Sequence, residues 1–240
     1  MSESIANWWC RPRPISVLVD NDSWILPYSR DLVEWANVQG DDARLCRNAG
    51  QLGEGGIAFL LGCTKLIPQS TLDRNRINLV VHESDLPLGR GFAPLTWQIL
   101  EGEPIVPVRL FEAVSEADAG SVYGEAELSF EGTELCDELR HAQGRITVKL
   151  CQEYLAASAP PMGRPQMGQP TWCTRRGPED SRLDPHKTLA DQFELLRVVD
   201  NDRYPAFFDF RGRRYRIRIE PDPQKAPIDG QGQASSTETN

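Results

Sequence analysis

The stretch INLVVHESDLPLGRGFAP, residues 77–94, changes character at its sixth residue. Ile77, Leu79, Val80 and Val81 make a short apolar run rich in β-branched side chains, as a strand covered on both faces requires. His82 closes that run, and two acids, a hydroxyl, two prolines and two glycines follow by residue 94. That composition turns a chain rather than extending it. A strand that stops on an imidazole can deliver it to the rim of a sheet, where open α/β sheets bind ligands. The alternative is a buried structural histidine followed by an ordinary loop.

Outward from this stretch, ISVLVDN (15–21) and GGIAFLLGC (55–63) share the continuous apolar character, and ARLCRN (43–48) is a shorter candidate strand. Leu32, Val33, Trp35 and Ala36 keep helical spacing, with Gly40 as a stop. A short helix is expected over 93–101, closed by Gly102. VPVRLFEA (106–113) and SVYGEAELSF (121–130) read as further strands. From Thr133, the expected N-cap, Leu135, Leu139, Ala142, Ile146 and Leu150 mark a long helix. Strands alternating with helices predict an α/β domain over 1–156 built on an open, mostly parallel, Rossmann-like sheet.

The segment 157–180 is rich in proline and glycine and reads as a linker. Residues 181–220 read as a small α+β appendage, a helix plus a hairpin. Asp184 is the expected helix cap, Pro185 its first residue, and Leu189, Phe193 and Leu196 its apolar stripe. The hairpin should turn at Arg211–Gly212 and offers a surface for a homodimer. Residues 221–240 are polar and read as a disordered tail.

Net charge is −9 over 240 residues, which opposes a nucleic-acid partner, since binding there depends on neutralising phosphates. One basic run, RGRRYRIRI (211–219), puts Arg214, Arg216 and Arg218 on one strand face, the pattern of a solvated face. The longest apolar run, Ile57–Cys63, is far too short to span a bilayer, and no secretory leader is visible. Six cysteines (10, 46, 63, 136, 151 and 173) have no close pairs, which fits reduced thiols in a cytoplasm. Neither HExxH, CxxC nor a phosphate-cradling glycine loop occurs, so no metal is expected. His141 and His186 fall at solvated helix positions.

An imidazole at a strand end needs a carboxylate to orient it or share its proton. EADAGSVY (116–123) supplies Asp118 in a tight turn between two strands. The loop DNDSW (20–24) opens on the rim where the first strand ends, making Asn21 and Trp24 candidate substrate contacts. Arg90 reads either as a substrate contact or as a surface ion pair, and Trp97 as packing for the short helix.

These motifs resemble those of the transformylases that use 10-formyltetrahydrofolate. Their His-x-Ser-x-Leu-Pro-x-x-Arg-Gly hallmark is matched by His82, Ser84, Leu86, Pro87, Arg90 and Gly91, and their Asp-x-Gly by Asp118 and Gly120. An upstream GxxxxxP element is matched by Gly62 and Pro68. The resemblance covers roughly residues 15–155, and the appendage is similar to the C-terminal module of sugar N-formyltransferases in that family. It implies a formyltransferase in which His82 and Asp118 are catalytic, with Ser84 and Arg90 near the substrate. The implied cofactor is 10-formyltetrahydrofolate, the formyl donor, held at Leu61, Gly62, Cys63, Pro68, Ala117 and Gly120. The implied acceptor is the amine of a nucleotide-linked amino sugar; formylation of methionyl-tRNA and a non-catalytic binding relative are the alternatives. One position departs from the pattern: the family's asparagine two residues before the histidine is Val80 here. Asn78 lies two residues further back, on the same strand face but about 13 Å from His82 at ~3.3 Å per residue.

Overall fold

The computed structural model describes residues 8–222; residues 1–7 and the expected tail from 223 onward lie outside the described residues. In chain order the elements are β1 (Pro14–Leu18), α1 (Leu26–Val38), β2 (Asp42–Cys46), β3 (Ile57–Leu60), α2 (Gln69–Leu72), β4 (Ile77–His82), β5 (Arg90–Gly91), α3 (Pro94–Leu100), β6 (Ile105–Glu112), β7 (Val122–Ser129), α4 (Cys136–Ala156), β8 (Trp172–Cys173), α5 (Phe193–Val198), β9 (Ala206–Phe210) and β10 (Arg213–Ile217). Six strands form one sheet in the order β2-β1-β3-β4-β6-β7. The first four run parallel, while β6 is antiparallel to β4 and β7 to β6. The mostly parallel α/β sheet read from the sequence is therefore the architecture of the chain. No helix among the described residues is long and apolar enough to cross a membrane.

Strand alternation sorts the side chains into two unequal layers. Val17, Phe59, Leu79, Val108 and Leu110 face the main core, where they meet Leu32 of α1, Ile99 of α3, and Leu150 and Tyr154 of α4. Their neighbours Leu18, Ala58 and Leu60 point the other way, onto a smaller cluster with Cys46, Leu52 and Leu72. Cys63, Ile67, Val80 and Ala113 are only half-buried there. The thin cover on this second face, with loops in place of long helices, leaves room for a site. Just before β1, Arg13 is fully buried against Asp41, with Nε and Nη2 each donating to the carboxylate at 2.7 Å.

Two helix starts differ from expectation. Thr133 does not cap α4: the Glu134 carboxylate accepts the amides of Glu131, Gly132 and Thr133, and Glu138 accepts the Leu135 amide at 2.8 Å. The helix begins later than read, with Leu135 as its N-cap, so Thr133 lies in the preceding turn that the Glu134 carboxylate closes. In the appendage, Asp184 and Pro185 do not open a helix, and α5 begins only at Phe193. Asp184 accepts the His186 amide, and Thr188 and Asp191 bond reciprocally. Such local side-chain bonds offer the backbone an alternative to helix. Leu189, expected in the apolar stripe, is 64% exposed, whereas Leu196 is buried.

The hairpin turns at Arg211–Gly212, both in the left-handed region (φ 51 and 76) that a two-residue turn demands. Its Arg214 carries ion pairs to Asp209 and Glu179 and lies over the Phe207 ring. The proline-rich segment 157–180 does more than connect. Arg164 exchanges backbone hydrogen bonds with Val122, and β8 pairs in parallel with β5.

Candidate functional site

His82 is the last residue of β4 and 7% exposed, its ring edge-on to Phe111 with centroids 6.2 Å apart. Its Nε2 lies 2.9 Å from the carbonyl oxygen of Gly89. A carbonyl can only accept, so Nε2 carries the proton and, in the neutral ring, Nδ1 keeps the lone pair. Among the described residues Nδ1 has no hydrogen-bond partner. The imidazole is thus held in one tautomer, with Nδ1 left as its acceptor nitrogen.

Asp118 sits in the turn between β6 and β7 in a left-handed conformation (φ 54), and its Oδ2 accepts the Gly91 amide at 2.8 Å. His82 and Asp118 do not bond to each other: the carboxylate is taken by one residue of the 83–92 loop and the imidazole by another. The loop, rather than a direct contact, joins them. Two glycines make the approach possible. A Cβ on Gly91 would come 2.5 Å from the Cys173 carbonyl oxygen, and one on Gly120 would come 1.9 Å from that of Glu112.

Arg90 is buried and points along the loop: Nη1 donates to Glu116 at 2.7 Å and Nη2 to Gln166 at 2.9 Å. Its Nε is buried without a partner, as is the Ser84 hydroxyl beside Gly89. Buried polar groups are nearly always satisfied, so unpartnered ones mark where water or a ligand completes the shell. Val80, in the place of the resemblance's asparagine, packs with Leu86, Phe111 and Val122. Asn78 is occupied elsewhere, donating to the Leu72 carbonyl at 2.9 Å.

The other wall is the 61–68 loop. Asn21 donates to the Gly62 carbonyl at 2.8 Å, and the Asp20 carboxylate accepts the amides of Thr64 and Lys65. Burial works to raise the Asp20 pKa, but the hydrogen bonds from Asn21, Thr64 and Lys65 outweigh it and hold the pKa below the usual value. Asn21 therefore braces this loop. Leu61 belongs to the main core, so only its backbone can face a ligand on the second face. Cys63 packs on the second face beside Val80 and Ala113; burial and then the Asp20 charge push its thiol up to about 12, so it is no nucleophile. The Pro68 carbonyl accepts the Thr71 amide at the start of α2. Ala117 is half-buried next to Asp118. Trp24 stands apart with Tyr28, lining a cleft of about 390 Å³ with Arg30, Arg140 and Arg203. A second groove of about 680 Å³ runs between Pro87, Leu88, Arg109 and the segment around Gln166.

Sequence reasoning missed Glu83. It is fully buried beside His82, where desolvation raises its pKa, opposed by the His82 charge and the Gln143 side chain. A raised folded-state value means stability present below the unfolded pKa is lost as pH climbs through the folded one. Glu83→Gln should therefore raise the melting temperature more at pH 8 than at pH 4.5, relative to the parent at each pH. Equal shifts at both values, measured by calorimetry, would refute this.

No protein-family model matches the chain. Several solved structures do. Methionyl-tRNA formyltransferase from Clostridium thermocellum superposes with a TM-score of 0.73 at 20% identity, over 88% of this chain and 95% of that one. A sugar N-formyltransferase from a Shewanella strain gives 0.66 at 14% identity, over 88% and 99%. HypX from Aquifex aeolicus, in complex with tetrahydrofolic acid, gives 0.64 at 16% identity, over 85% of this chain and 37% of that longer one. The six-stranded, mostly parallel sheet superposes on these structures over most of the chain, and the fold of this chain is the formyltransferase fold.

Proposed function

We propose that this chain transfers a formyl group from 10-formyltetrahydrofolate to the amine of a nucleotide-linked amino sugar. The observation that carries the reading is the single loop that holds both a tautomer-fixed imidazole and a carboxylate, Gly89 on His82 and Gly91 on Asp118. The residues fit a reduced folate: Cys63, Ile67, Val80 and Ala113 offer a half-buried apolar floor, and the Ser84 hydroxyl, on the loop by Gly89, is an unmet polar group. When bound, the folate supplies the formyl carbon that the amine attacks. His82 takes the proton leaving the amine on Nδ1, while Gly89 keeps the other ring nitrogen protonated. The resulting imidazolium then faces the charge that builds on the formyl oxygen and stabilises it. The same proton then passes from His82, through water, to the free carboxylate oxygen of Asp118 and on to the departing nitrogen, so that both groups return to their starting state.

The amino-sugar acceptor is favoured by the small appendage and the acidic balance of −9, which disfavours a tRNA. Sugar N-formyltransferases share the fold over nearly their whole chains, as does a methionyl-tRNA formyltransferase. Titration calorimetry with 5-formyltetrahydrofolate, followed by formyl transfer to a panel of nucleotide-linked amino sugars, tests the reading. Binding in the micromolar range is expected, and no heat at millimolar ligand would overturn it.

A further inference from the structure

Resting on the formyl-transfer reading, we propose that Gln166, on the segment after the sheet, is a positioning residue that holds the Asp118 turn in its working shape. Its Nε2 donates to the carbonyls of both Asp118 and Gly120, each at 2.8 Å. Its Oε1 accepts from Arg90 Nη2 at 2.9 Å. One amide thus ties the turn that carries the carboxylate to the loop that grips the imidazole. Among the described residues no other side chain bonds to either carbonyl.

The turn needs such a restraint. Asp118 is left-handed without being glycine, a conformation that aspartate tolerates but that is not its lowest-energy one, so outside contacts help to keep it. Gln166 in turn is fixed on both sides. Arg164 is paired with Val122, while the Thr171 hydroxyl accepts the Gly89 amide at 2.8 Å and the Thr171 carbonyl accepts the Arg90 amide at 2.9 Å. Arg90 completes the frame through Glu116, two residues before Asp118. Remove the Gln166 amide and two carbonyls lose their side-chain donor, while the buried guanidinium is left to Glu116. The turn is then free to relax away from Gly91, displacing the carboxylate by the small distance to which catalysis is most sensitive.

Two variants separate the halves of this contact. Gln166→Leu removes all three bonds at similar size; Gln166→Glu keeps an acceptor for Arg90 but loses both donors. With 5-formyltetrahydrofolate in the calorimeter and steady-state transfer as readouts, both variants should weaken folate binding at least ~10-fold and lower kcat by ~10- to 100-fold. The KM for the amine and the melting temperature should stay near the parent's. Parent-like folate affinity and kcat in Gln166→Leu would overturn the proposal, as would parent-like behaviour of Gln166→Glu, which would assign the role to Arg90 alone. A loss that raises both KM values and lowers the melting temperature together would reduce Gln166 to a structural part. A parent protein that binds no folate would overturn the formyl-transfer reading, and this inference with it.

Discussion

His82→Ala should lower kcat for formyl transfer by about 100- to 10,000-fold, the range for a lost general acid–base. The ring nitrogen it removes is the one unpartnered imidazole nitrogen beside the loop that also holds Asp118. Asp118→Ala should fall in the same range, because it deletes the relay and frees the Gly91 amide. In the proposed mechanism the two groups serve one proton path, so the double variant should be little worse than the worse single one. Turnover of the three variants on a working amino-sugar substrate, with circular dichroism to verify folding, decides the matter. A His82→Ala protein that turns over at the parent rate removes the imidazole from the chemistry. Strictly additive losses would instead separate the two residues into independent roles.

The largest effect on stability should come from Asp41→Ala. Arg13 is 2% exposed, stacks its guanidinium 4.6 Å from the Trp9 ring centroid and has Asp41 as its carboxylate partner, while Arg11 adds a second contact to the same acid. Deleting the acid strands a buried positive charge, which costs about 3–5 kcal/mol. Replacing the whole pair with apolar residues of similar volume should be far milder, since the desolvation cost disappears with the charges. Urea denaturation of Asp41→Ala checks this, and a loss under ~1 kcal/mol, the size of an exposed ion pair, would show that the site is wetter than its burial implies.

Much of the sheet was legible because its strands are covered on both faces. Ile77 to His82 reads as one apolar run and ends where the strand ends, and the Arg211–Gly212 turn announces itself by the conformation it demands. Of the candidate site, the sequence marked only side chains of distinctive type, such as His82 and Asp118, which the structure brings to one loop. The site was illegible where backbone did the work. Gln166 bonds to carbonyls 46 and 48 residues away, and every residue owns a carbonyl, so no pattern marks the target. Asp20 was hidden in the same way, since its partners are the amides of Thr64 and Lys65. Asp184 and Pro185 misled because cap signals are local. The side chains of Thr188, Asp191 and Gln192 bond to nearby backbone and hold the chain in turns until Phe193.

The pairing of β5 with β8 also sets an order of events. The Gly89–Thr171 bond closes a span of 82 residues, whereas each βα unit of the sheet closes over a few tens. Long spans are closed after short ones, because their chain entropy must be overcome before the contact repays it. On a ribosome adding ~5–20 residues per second, the six strands are complete before residue 171 is made. The loop cannot close until the chain extends well past Ser129, where the last sheet strand ends, so the progress of synthesis sets the earliest moment at which the site can exist.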